Sequence, residues 1–109
     1  PVLFYLSCGK NDEIVSADLL GQWTHSEYPE MKLDFKNASE VLVNGNDFLY
    51  ALSADSIQFI YNGNLFLYVI PTMHRIEFQP DKDHLMIEDM DNLWSFHGDQ
   101  GENIMIRVR

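Results

Sequence analysis

The chain has 109 residues, with 17 Asp and Glu against 7 Lys and Arg, a formal charge of −10, 46% hydrophobic residues and 13% aromatic ones. Length gives one domain, and this apolar content excludes a disordered chain, which lacks the aromatic and β-branched residues needed to offset chain entropy. The acidic balance speaks against nucleic acid, whose phosphates are bound by Lys and Arg, and the single cysteine excludes an internal disulfide framework and a multi-cysteine zinc site.

In chain order, Pro1 to Ser7 carry no charge, and charges begin with Lys10, Asp12 and Glu13. This stretch is far short of the roughly 20 apolar residues of a spanning helix. Leu6-Ser7-Cys8-Gly9 resembles the end of a bacterial lipoprotein signal peptide, and the resemblance implies lipidation at Cys8. Each acyl CH₂ contributes about 0.8 kcal/mol in the membrane, so several chains on one cysteine anchor firmly. The Lys-then-acid run after the cysteine is similar to surface-export signals of Gram-negative lipoproteins. The expectation is a remnant and tether over residues 1–15, a folded domain over 16–109, and an outer-membrane lipoprotein of a Gram-negative cell envelope, periplasmic or surface-exposed. The alternative makes residues 2–6 a buried first strand and Cys8 a small buried hydrophobe.

Ser16 is placed to cap a short helix over Ala17 to Leu20 that Gly21 ends. Strands follow. Met31 to Lys36 alternates, with Met31, Leu33 and Phe35 on one face. Glu40 to Val43 comes next, then a hairpin signal at Asn44-Gly45-Asn46, Phe48 to Leu52, Ser56 to Tyr61, and a second hairpin signal at Asn62-Gly63. Leu65 to Ile70 reads as a strand apolar on both faces. Arg75 to Gln79, His84 to Glu88, Leu93 to His97 and Ile104 to Val108 complete the set. Short strands in an unbroken meander predict an all-β fold, an antiparallel up-and-down barrel of about eight strands, which closes to remove its edges. Outward apolar residues of strand 65–70 then need cover from the chain itself or from a second copy, as a homodimer seam.

Leu20-Gly21-Gln22-Trp23, a glycine and tryptophan opening the first long strand after a short helix, resembles the Gly-x-Trp signature of lipocalin-like proteins. In that family the tryptophan closes one barrel end and a basic residue of the last strand packs across its ring, which here implies a pair of Trp23 with Arg107, held by cation–π attraction. The resemblance extends over residues 18–108. The chain is much shorter than full-size lipocalins, and an eight-stranded interior is just wide enough to be filled by side chains or to hold one small ligand.

Catalytic constellations are sparse. His25, His74, His84 and His97 fall on different predicted strands and never at ligand spacing, so solvated or edge-strand histidines are expected and no metal site. Cys8 has no neighbouring base, and there is no phosphate loop or nucleophile elbow. Asp81, Asp83, Glu88, Asp89 and Asp91 form the densest acidic run, but Trp94 stands where a calcium loop starting at Asp89 needs glycine. Asn37-Ala38-Ser39 is a glycosylation sequon, and Asp55-Ser56-Ile57 resembles an O-glycan acceptor of exported Gram-negative proteins.

These readings predict a non-enzymatic envelope lipoprotein domain without cofactor, binding a small apolar or amphipathic ligand. The candidate lining residues are Trp23, Tyr50, Phe59, Tyr61, Phe66, Tyr68 and Trp94, since aromatic walls supply large contact with few rotamers to freeze. The alternative is a structural or protein-interaction module, an accessory lipoprotein or homodimer, working through the outer apolar strand 65–70.

Overall fold

A computed structural model describes residues 16–64, 66–79 and 81–109. Cys8, the tether and the alternative first strand lie outside the described residues. Eight antiparallel strands in sequence order form a closed barrel, the last bonded to the first. Helix α1 (Ser16–Leu19) precedes β1 (Gly21–His25), β2 (Lys32–Phe35), β3 (Glu40–Val43), β4 (Asn46–Ser53), β5 (Ser56–Tyr61), β6 (Thr72–Phe78), β7 (His84–Glu88) and β8 (Glu102–Arg107). The meander expected from the spacing of turn residues is the observed topology.

Period-two alternation builds each wall. Trp23 and His25, Leu33 and Phe35, Val41 and Val43, and Phe48 and Tyr50 are buried at alternate positions on consecutive strands. Ile57 and Phe59, His74 and Ile76, Leu85 and Ile87, and Asn103 and Met105 continue the pattern around the barrel. Successive side chains of a strand point to opposite faces, so one register keeps all of these inside. Closure follows from the same register, with Trp23 opposite Leu33 on one side and Arg107 on the other. The β3–β4 connection is the tight turn expected at Asn44-Gly45: both have positive φ, 49° and 89°. A primed two-residue turn needs that backbone, and its twist matches the strands it joins.

Among the described residues two expected strands are absent, each for a physical reason. Asn62-Gly63 does not turn the chain back, and residues 66–71 form a loop rather than a strand. The partner of β5 is instead β6, whose Thr72 stands opposite Phe59. Residues 72–78 offer polar or charged residues outward, with Arg75 and Glu77 beside Met73, whereas 66–70 has no polar face to show water. Leu93 to His97 is likewise not extended. Met90–Asn92 is a 3-10 turn, and the amide N–H groups of Leu93 and Phe96 donate to the carbonyls of Met90 and Leu93. Apolar residues spaced by three face one side of such consecutive turns, so Met90, Leu93 and Phe96 are all buried.

Candidate functional site

The barrel has two differently closed ends. At one end, α1 lies across the opening. The Trp23 indole N–H donates to the Leu19 carbonyl at 2.9 Å, and the Arg107 guanidinium lies 4.3 Å from the Trp23 ring centroid. Arg107 also donates to the carbonyls of Asp18 and Leu20 in α1 and its exit, and to that of Lys82 in the β6–β7 turn. Asp83 faces it at 3.4 Å. A planar five-donor fork can stack on an aromatic ring and donate around its rim at once, which an ammonium cannot. The Trp23–Arg107 contact implied by the resemblance is thus present, and it stitches helix, first strand, last strand and a turn together.

The other end carries the loops 26–31, 44–45, 62–71 and 89–101. Its mouth is stopped by the segment from Met90 to Phe96, whose Met90, Leu93 and Phe96 join the core cluster. Asn103 holds this stopper. Its Oδ1 receives the Asp99 amide at 2.7 Å and lies 2.8 Å from His25 Nε2, and its Nδ2 donates to the carbonyls of Ile87, Asp99 and Gly101. His25 Nδ1 accepts the amides of Glu27 and Tyr28, so Nε2 is the nitrogen carrying the proton toward Asn103. Gly98 is required by proximity: a Cβ there would stand 2.7 Å from that of Met90 and 3.1 Å from Asn103 Oδ1. His25 and His74 are buried, contrary to the expectation of solvated or edge histidines, because each ring nitrogen has a partner. His74 donates from Nδ1 to the Glu88 carbonyl at 2.8 Å and meets the Thr72 hydroxyl at 2.7 Å. His97 sits in the 89–101 loop rather than on a strand.

The seven aromatic candidates do not converge. Trp23, Tyr50 and Phe59 are core residues, at most 4% exposed, and the Tyr50 hydroxyl is used on the Asn37 carbonyl. Tyr61 and Trp94 meet edge to face at 4.9 Å beside Phe48, at the stoppered mouth. Phe66 and Tyr68 leave the barrel altogether, 99% and 82% exposed on the β5–β6 loop. Leu67, Ile70 and, at the start of β6, Met73 are exposed beside them in sequence. An interior ligand would have to displace Met90, Leu93 and Phe96. No buried side-chain nitrogen or oxygen among the described residues lacks a partner that such a ligand could supply.

Charge at this end is predominantly negative, although Lys32 opens β2 here. Its loops carry Glu27, Glu30, Asp89, Asp91 and Asp99 and no Lys or Arg. Asp99 accepts the Tyr28 hydroxyl at 2.8 Å and holds both the Tyr28 hydroxyl and the Glu27 carboxyl above their ordinary pKa values, through hydrogen bonding first and charge repulsion after it. Among the described residues no cluster of three or more His, Cys, Asp or Glu has the geometry to hold a metal ion, and no helix is long and apolar enough to cross a membrane.

Sequence reasoning missed the Asn103 hub and the stopper. The stopper had a signal, the three-residue spacing of Met90, Leu93 and Phe96, whereas nothing near Asn103 in sequence announces its partners on three other segments. Fold and ends together define a small, closed, eight-stranded antiparallel barrel with both mouths occupied by its own chain. Comparison with protein-family models, with curated proteins and with solved structures finds no match for it.

Proposed function

We propose that this chain is a non-enzymatic, lipocalin-like docking module of a bacterial cell envelope, anchored by lipid at Cys8 and acting through the apolar β5–β6 loop. Full exposure of Phe66 carries the reading, with Tyr68, Ile70 and Leu67 beside it at 82%, 69% and 42%. Burying a Phe or Ile side chain is worth about 1.5 to 3 kcal/mol, a gain this loop forgoes in the isolated chain. Contiguous apolar exposure marks an interaction surface, and the occupied interior favours it over an enclosed ligand. Support for the envelope comes from Leu6-Ser7-Cys8-Gly9, and support for the lipocalin-like kinship from Gly21-Gln22-Trp23 under Arg107.

A photo-cross-linking residue at position 66, with position 51 on the outer face of β4 as control, tests the docking surface in the cells that make the protein. The expected result is a discrete adduct from position 66 alone; equal labelling from both sites overturns the reading. Intact-mass measurement of the protein purified from its own envelope tests the anchor. A Cys8 without added acyl mass removes it.

A further inference from the structure

We infer that the occupant of the β5–β6 loop is a basic protein surface, an apolar cleft rimmed by Lys and Arg that receives Phe66 and Tyr68. The inference rests on the docking reading above and adds what the partner must be. Residues 62–74 contain no Asp, Glu, Lys or Arg, so the loop itself contributes only apolar and neutral polar contacts. Both of its roots are acidic. Asn62 donates its amide to the carbonyl of Asp47, at the start of β4. On the other side β6 pairs with β7, whose continuation carries Asp89 and Asp91, both near enough to act on His74 at the base of the loop. Glu27, Glu30 and Asp99 carry the same sign in the other loops of this end, with Lys32 at the start of β2 among them. An apolar knob flanked by carboxylates, Asp47 on one side and Asp89 and Asp91 on the other, is an arrangement in which aromatic anchors supply affinity and the neighbouring charges steer and select.

Charge also decides against the other occupants. A second copy would bring the same acidic rim and a further −10 to the contact. An anionic lipid surface would meet carboxylates ahead of the aromatics, and polybasic segments, not acidic ones, are drawn to such membranes. A cationic, apolar-centred protein surface is the chemistry that satisfies loop and rim together.

The test uses the full chain with two synthetic amphipathic helical peptides sharing one Leu face, one with Lys and the other with Glu on its polar face. Binding is read by fluorescence anisotropy at low and at moderate salt. Vesicles of zwitterionic and of anionic lipid, and light scattering of the protein alone, complete the comparison. The Lys peptide is expected to bind, to weaken with salt as the Debye length shortens from about 30 Å at 0.01 M to about 10 Å at 0.1 M, and to be lost by at least about tenfold in Phe66→Ser/Tyr68→Ser, which removes anchors without touching charge. Glu30→Gln/Asp91→Asn, which leaves the anchors in place, is expected to weaken it severalfold at low salt only. Equal binding of both peptides, or Lys-peptide binding indifferent to the Ser pair, overturns the inference, the second outcome because it shows charge attraction without the loop. Self-association or vesicle binding that needs Phe66 overturns the basic partner while keeping the loop as a docking surface. Loss of nothing in any arm on the Ser pair overturns both.

Discussion

Buried polar side chains in this barrel are satisfied in ways that fix their protonation. Burial pushes the His74 imidazole below its ordinary pKa, against smaller opposing effects of the Glu88 carbonyl and of Asp89 and Asp91. The folded state therefore binds the His74 proton less readily than the unfolded chain, whose histidine titrates near about 6.5. Stability is full above that pH and falls as pH drops through it, by at most about 1.4 kcal/mol per unit for this group. Urea midpoints between pH 7.5 and 5.5 are expected to decline in the native protein and to decline less in His74→Gln; parallel slopes would show that His74 is not the group responsible. Asn103 gives a larger effect without titration. Asn103→Leu strands the proton on His25 Nε2, the Asp99 amide and carbonyl groups of the stopper. At about 1 to 3 kcal/mol for an orphaned buried group, a loss of roughly 2 to 4 kcal/mol is expected in denaturant unfolding.

At the scale of elements, the short helix and the stopper are bound to the barrel by different physics. α1 spans only Ser16–Leu19, too short to be stable alone, and is held by the Trp23 indole, the buried Leu19 and the Arg107 fork. Arg107→Lys keeps the charge but not the planar stack and its carbonyl contacts, so it is expected to lose about 1 to 3 kcal/mol. For a domain of this size that is a fall in Tm of roughly 4 to 8 °C per kcal/mol, readable by circular dichroism. The stopper depends on apolar filling. Phe96→Ala empties a side chain only 6% exposed and is expected to cost about 3 to 5 kcal/mol. These residues also show what a reader of the sequence could see. The Trp23–Arg107 pair was legible through the resemblance of Gly21-Gln22-Trp23 to the Gly-x-Trp signature, which implies a basic partner on the closing strand. Leu93 to His97 has a strand's composition, and only the three-residue spacing back to Met90 marks the consecutive turns of the stopper.

For the whole molecule, folding and docking fall on separate surfaces. Phe66 and Tyr68 are 99% and 82% exposed, so Phe66→Ser and Tyr68→Ser are each expected to change unfolding free energy by no more than about 0.5 kcal/mol, while Tyr68→Ser weakens the cross-link formed from position 66. A large destabilisation would mean that the loop is a structural element instead. Low ionic strength should destabilise the native protein relative to moderate salt, because a formal charge of −10 repels itself within a compact barrel. Thermal unfolding at rising salt checks this, and a melting temperature that does not move would show that local ion pairs such as Arg75 with Glu88 already offset the repulsion.

By itself the sequence determined the all-β class, the meander, most strand positions and the closed end. Alternation, hairpin residues and composition act over a few neighbours, and a barrel made of consecutive antiparallel strands needs little more. Tertiary structure alone decided which apolar residues are inside. Leu65 to Ile70 is the richest apolar run in the body of the chain, yet Phe66 and Tyr68 stand in water, because eight registered strands and the Met90 to Phe96 stopper already fill the interior. Burial is settled by competition for a fixed volume, and no local stretch of sequence records who wins it.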